Sequence, residues 1–327
     1  MRNSIFTISL DFELHWGRFD KFPIAAELEY YQNARMAIPK ILNLFEAFGI
    51  EATWATVGML FAESWDEWRD YLPDEFPDYA NANLSAYEWA AKNMYAASSC
   101  LFAPDLIKSI INTPGQEVGS HTFSHYYTQE TGQEMSQFRA DLRMAKKIAK
   151  DKFGLSLSSL VFPRNQYSAH SIKVCKEEGF EIFRGNPSDW FWKSPEKSNL
   201  LKKVFRTGDT LYPLGNDTSY SLDDTYRGDS EIINLPASRL LRPYRKPSMF
   251  NNRRIQRIME EMTLAAKKGN VYHLWWHPHN FGTYTSENLS LLKVILQHYH
   301  NLRDQYGMES CNMLSLSGVQ HKVKAVS

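Results

Sequence analysis

The sequence predicts an α/β fold: a closed or nearly closed barrel of roughly seven βα repeats, with a doubly wound open sheet as the alternative. Two observations lead there. Short apolar runs bounded by turn formers alternate with helix-like amphipathic stretches from one end of the 327 residues to the other. A chain of this length can also bury a large core, as one big domain or two smaller ones. No sequence repeat and no glycine-rich phosphate loop of either usual type is present.

Ile5 to Leu10 reads as the first strand. Tyr31 to Phe48 reads as a helix, with Ala34, Ile38, Ile41, Leu42 and Phe45 on one face and Gly49 as its stop; Pro39 should kink it or mark its true start. Ala52 to Val57 is a second strand. From about 61 to 112 the chain turns rich in Trp, Tyr and acidic residues, broken by Pro73, Pro77 and Pro104, which predicts a helical, aromatic-rich insertion. Val118 marks a short strand. Ser136 to Phe153 is an amphipathic helix closed by Gly154, Ser159 to Phe162 a strand, Ser168 to Glu178 a capped helix, and Phe180 to Arg184 another strand. Residues 187–250 are polar and loop-rich. A helix from Asn252 to Lys268, a strand from Val271 to Trp276, a helix from Ser286 to Tyr306 and a last strand near Asn312 complete a single domain over 1–327.

Composition excludes several classes. Lys plus Arg is 37 and Asp plus Glu is 37, so no basic surplus points to nucleic acid or anionic lipid. Three scattered cysteines give no disulfide framework. The apolar run before Asp11 and Glu13 is too short and too acidic for a signal peptide, and no run is long enough to span a membrane. The expectation is a cytoplasmic enzyme; the oligomeric state is not legible.

The chemistry-bearing residues fall at strand ends. Asp11 and Glu13 are two apart, so on an extended chain both carboxylates face one side, at the end where barrel enzymes place their sites. His121 and His125, four apart, would project from one side of a helical turn, and with one carboxylate they form a three-ligand set that leaves room for water and substrate. Ser120 and Ser124 would orient these imidazoles. The spacing alone fits a surface helix or a core pair equally well. Zinc peptidases share it, but Thr122 occupies the place of their glutamate. Arg164, directly after a strand, is suited to holding an active-site carboxylate in its charged form. The run His273-Leu-Trp-Trp-His277-Pro-His279 places His277 where a general acid would sit, with His273 as a core histidine. Aromatic rings stack well on sugar faces; Trp16 and Trp276 are assigned with His279 to substrate binding.

Together these segments resemble the polysaccharide deacetylase family, the NodB-homology group of carbohydrate esterase family 4, over most of the chain. "ILNLFEAFGIEATWATVGML" (41–60) looks like that family's first helix and second strand, and "GQEVGSHTFSH" (115–125) is close to its metal-binding motif. The resemblance implies a distorted, TIM-like (β/α)7 barrel. It also implies metal-assisted removal of an N-acyl group, usually acetyl, from an amino sugar in a glycan, an envelope-polysaccharide precursor or a nucleotide-sugar. Residue by residue, Asp11 matches the catalytic base, His121 and His125 the metal-binding histidines, and His277 the general acid. Arg164 falls in the arginine motif and would orient Asp11, although "FPRNQY" departs from the family's usual form. Most members carry two adjacent aspartates where this chain has Asp11-Phe12-Glu13, so Glu13 is expected as the third ligand of one divalent ion, Zn2+ or else Co2+, Ni2+, Mn2+ or Fe2+. Two rival readings are a glycoside hydrolase on a related barrel, with a second acid among Asp189, Asp209, Asp223 and Asp224, and a degenerate sugar-binding relative.

Overall fold

The computed structural model describes residues 3–94, 96–192, 200–225 and 232–324, with side chains up to 318. Its centre is one all-parallel sheet in the order β6-β5-β4-β3-β2-β1-β8-β7. The strands are β1 (Ile5–Phe12), β2 (Ala52–Thr56), β3 (Gln116–Ser120), β4 (Ser159–Val161), β5 (Ile182–Gly185), β6 (Ile233–Pro236), β7 (Arg239–Leu240) and β8 (Val271–Trp276); β9 (Glu309–Ser310) pairs only with the start of β1.

The two ends of this order are successive halves of one extended run. β6 pairs with β5 and Ala237 N donates to Gly185 O; β7 pairs with β8 and Ser238 N donates to His273 O. Residues 233–240 therefore join the sheet edges, and β1 to β5, the β6–β7 run and β8 surround a distorted seven-position barrel. Closure satisfies backbone groups that an open edge would leave unpaired.

Side-chain alternation gives the sheet two cores. On β1, Phe6, Ile8, Leu10 and Phe12 face the helix layer, while Ile5, Thr7, Ser9 and Asp11 face inward, and all eight residues are buried. The outer layer is α1 (Leu28–Phe48), α2 (Trp65–Asp70), α3 (Ala86–Lys92), α4 (Pro104–Asn112), α5 (Met135–Phe153), α6 (Ala169–Glu177), α7 (Leu200–Gly208), α8 (Met249–Lys268) and α9 (Thr285–Tyr306). α1 buries the expected face and stops at Gly49 in the left-handed region, φ 64°. It begins at Leu28 and runs through Pro39, so Pro39 does not mark its start. Inside the barrel, Ala55, Val161, Ile182, Leu235 and Val271 pack against Met313 and Leu316 of α10 (Met313–Lys324).

The last strand, expected near Asn312, is β9 at Glu309–Ser310, and it is followed by a helix the sequence did not predict, α10, which caps the N-terminal mouth of the barrel. Met313 N donates to Thr53 Oγ1 at 2.8 Å and Leu314 N to Glu117 Oε2 at 3.0 Å, so two N–H groups at the helix start are satisfied by side chains of β2 and β3, Thr53 buried and Glu117 half-buried. Residues 61–112 carry α2, α3 and α4, the first two capped by Ser64 and Ser85. Of the polar stretch 187–250, residues 193–199 and 226–231 lie outside the described residues; the rest contains α7, β6, β7 and the start of α8. No helix among the described residues is long and apolar enough to cross a membrane.

Candidate active site

The C-terminal end of the barrel brings together Asp11, Glu13, His121, His125, His277 and His279 of the residues expected from the sequence. Glu13, His121 and His125 each offer a ligand atom, all within 4.8 Å of one another. Glu13 Oε2 lies 3.3 Å from His121 Nε2 and 3.0 Å from His125 Nε2. His121 Nδ1 donates to Val161 O at 2.8 Å, which leaves Nε2 as a lone pair. His125 Nδ1 lies 3.1 Å from the Tyr127 hydroxyl, an arrangement that likewise frees Nε2. Three acceptors thus converge in a buried place, and Glu13 Oε2 has no hydrogen-bond donor. That geometry fits a divalent cation, which would satisfy all three at once. Burial alone would raise the Glu13 carboxyl, but the imidazoles of His277, His125 and His121 hold it well below the usual range. Gly17 makes room for it, since a Cβ there would fall 1.9 Å from Glu13 Oε1.

The histidine pair does not sit on a helix. Residues 121–128 form an irregular loop after β3, with Thr122 at φ 64° and His125 at φ 57°. Left-handed backbone at such residues costs of order 1–3 kcal/mol each and persists only when its surroundings fix it. Asp141 of α5 supplies that fixing. Its carboxylate accepts from Phe123 N at 2.6 Å, Ser124 N at 3.1 Å, Tyr87 Oη at 3.1 Å and the Ser124 hydroxyl. Burial outweighs these bonds and raises the Asp141 carboxyl to about 6. Ser124 therefore anchors the loop, and Ser120 Oγ accepts from Thr122 N; neither bonds an imidazole, as the sequence had suggested. Val161 O and Tyr127 do that instead.

Asp11 shows the largest difference from expectation. Its carboxylate is gripped from β5: Arg184 Nη1 donates to Oδ1 at 2.6 Å and Nη2 to Oδ2 at 2.9 Å. The same guanidinium donates to Ser9 Oγ and Asn165 Oδ1 and stacks over Trp275 at 4.2 Å. Against burial, which would raise it, Arg184 leads the charges that lower the Asp11 carboxyl. Arg164, expected in this role, points elsewhere. With φ 54° it turns its guanidinium to Asp20 at 2.5 Å and Glu130 at 3.5 Å, over the Tyr127 ring at 4.0 Å. His277 Nε2 lies 3.7 Å from both Asp11 Oδ2 and Glu13 Oε1, and its side chain is 27% exposed.

Neither tryptophan assigned to substrate reaches the site. Trp16 is fully buried, donates Nε1–H to Leu101 O at 2.7 Å and packs edge-on against Trp65 and Trp89. Trp276 is fully buried against Phe45 and Phe281 on the helix side of β8. Parity explains it: His273, Trp275 and His277 share the inner face, so Trp275 is the tryptophan beside the site, with His277 at 5.6 Å. His279 is buried with Nδ1 3.9 Å from Glu13 Oε1, and burial pushes its imidazole down to about 3. Of the acids considered for a glycosidase, Asp209 pairs with Arg239 at 2.8 Å and Asp189 accepts from Asn216. Asp223 lines a cleft with Asn3 and Ser4 at the opposite end of the barrel. None of these three supplies a second acid facing Asp11.

His273 sits deeper, with Nε2 2.8 Å from Ser9 Oγ; burial, and then Arg184, lower it to about 3. Its folded value is below the unfolded one, so as pH falls through 6.5 the unfolded chain takes up the proton first and stability falls. Urea unfolding should therefore show a loss of about 1 kcal/mol between pH 6.5 and 5.5 that His273→Gln removes.

The family described as polysaccharide deacetylase matches residues 18–183, just over half of the chain. That span includes His121 and His125 and stops one residue short of Arg184. No curated protein matches to significance. Among solved structures, one described as a polysaccharide deacetylase from Mycobacterium smegmatis is similar with a TM-score of 0.64 at 14% identity, covering 99% of this chain and 92% of that one. One so described from Pseudomonas aeruginosa PAO1 gives 0.61 at 13%, covering 97% and 91%. Puue allantoinase gives 0.61 at 12%, covering 97% and 90%. At these identities the structures speak to the fold, and the matched span speaks to descent: the chain belongs to the polysaccharide deacetylase family.

Proposed function

We propose that the chain is a metal-dependent deacylase that removes an N-acyl group, acetyl in the simplest case, from an amino sugar, and that it works in the cytoplasm on a precursor. One observation carries the reading: an Arg184-clamped Asp11 and a partly exposed His277 stand 3.7 Å apart at the rim of the Glu13, His121 and His125 cluster. A glycosidase would need a second acid across the scissile bond.

Glu13, His121 and His125 would hold a divalent ion, which when bound would supply Lewis-acid polarisation of the acyl carbonyl. Asp11, kept ionised by the guanidinium fork, accepts a proton from the water that attacks that carbon. The fork also stops the carboxylate from rotating, so the base stays aimed at one position. His277 Nε2 then protonates the sugar nitrogen as the C–N bond breaks, since an unprotonated amine anion is a very poor leaving group. The products are a free amino sugar and a carboxylic acid. Arg164, over Tyr127, steadies the residue that holds His125 and acts only through it.

Metal analysis coupled to acyl-release assays over a panel of N-acylated sugars tests this. The protein should bind about one ion per chain. Asp11→Asn should abolish turnover while metal stays bound, and His121→Ala should lose both. Full activity in Asp11→Asn would sink the mechanism, and a protein that takes up no metal would favour a degenerate sugar binder.

A further inference from the structure

A second feature adjoins the same rim. A cleft of about 330 Å³ opens beside Glu13, His277 and His279, between the loops that follow β1, β7 and β8. Its wall carries Lys21, Arg242, Arg245 and Arg254, and Glu13 is the one acid lining it among the described residues. None of these four cations has a carboxylate within 4 Å among the described residues, whereas Arg18 beside them pairs with Glu27 at 2.9 Å. Arg242 and Arg254 each bury an Nε–H with no acceptor. Burial, and then the neighbouring guanidinium groups, lower both. Like charges collected without counter-charge are unfavourable, and buried unbonded donors add desolvation cost, so the arrangement is explained by an anion that arrives from outside. In a chain whose total charges cancel, this concentration is a local property of the site.

Resting on the deacylase reading, we propose that the substrate is an N-acylated amino sugar bearing a phosphate or diphosphate, whose oxygens are held by Arg242, Arg245, Arg254 and Lys21 while the amide reaches the Asp11–His277 pair. Planar guanidinium forks match phosphate oxygens, and several cations together suit a group with more than one negative charge. A nucleotide-linked and a lipid-linked sugar diphosphate share this chemistry.

The test compares the full-length, metal-loaded protein with Lys21→Gln/Arg245→Gln, both exposed positions, and with Arg242→Gln. Substrates are free N-acetylglucosamine, uridine diphosphate N-acetylglucosamine, and a lipid-diphosphate-linked N-acetylglucosamine in detergent micelles; binding of inorganic diphosphate is measured separately by calorimetry. Wild type should prefer one of the two diphosphates over the free sugar, and whichever is preferred identifies the carrier. The substitutions should raise KM for it, and weaken diphosphate binding, by about tenfold each, with kcat on the free sugar unchanged. Equal kcat/KM for free and phosphorylated sugar in wild type, or variants that bind diphosphate as wild type does, would overturn the proposal while leaving deacylation intact. Diphosphate binding that the variants lose, in a protein that releases acyl group from no sugar, would instead uphold the anion cleft and overturn the deacylase reading.

Discussion

Replacing Arg184 with methionine should cost the fold about 3–5 kcal/mol and slow turnover roughly 100- to 10,000-fold. Asp11 is 3% exposed, and among the described residues no other Arg or Lys pairs with it, leaving only the His277 imidazole 3.7 Å away. With the guanidinium gone, a buried carboxylate either stays charged at great cost or takes up a proton, and burial then drives its pKa upward. The base that should accept a proton would already hold one near neutrality. The signature is therefore a shift of the acid limb of the pH–rate profile to higher pH, together with lost stability in urea. Arg184→Lys retains charge but not the fork, and should recover part of the stability and less of the rate. Arg164→Met, 25% exposed and paired with Asp20, should leave that limb in place. A normal limb in Arg184→Met would show that Asp11 is not the titrating base.

Asp141→Ala should weaken metal binding by about 10- to 100-fold and destabilise the protein by several kcal/mol, although Asp141 touches neither imidazole. Its carboxylate satisfies two backbone N–H groups inside the loop that turns His121 and His125 together. Without it those donors are buried unbonded, and the left-handed Thr122 and His125 lose what fixes them. Asp141→Asn keeps one oxygen and should fall between. Titration calorimetry with Zn2+ and thermal unfolding of the metal-free protein read the two effects separately; unchanged affinity with lowered stability would confine Asp141 to a structural part.

Asp11, Glu13, His121, His125 and His277 could be singled out as candidates because strand parity and loop spacing are local, and the family resemblance supplied their order; the structure brings the five to one end of the barrel. What the sequence hid was mostly nonlocal. β4 and β5 are both buried on their two faces, so "SLVFPR" and "EIFR" look alike, and nothing local says which arginine turns inward. β8 is apolar at successive positions for the same reason, which led to Trp276; the parity of His273 and His277 would have pointed to Trp275. The His121–His125 spacing was correct for the wrong conformation: an irregular loop brings the pair together, and its anchor lies on α5, sixteen residues beyond His125. α10 went unseen because its few apolar residues serve the inside of the barrel rather than a broad helix face.

That helix closes the barrel from below. α10 follows every strand of the barrel in the chain, yet its first two N–H groups complete the bonding of Thr53 and Glu117. Glu117 is half-buried there, and burial raises its carboxyl. A chain lacking α10 would leave Thr53 and Glu117 without those donors and uncover Ala55, Val161 and Ile182 inside the barrel. The helix is thus a stopper: Met313 and Leu316 keep water out of the bore at the end opposite the candidate site.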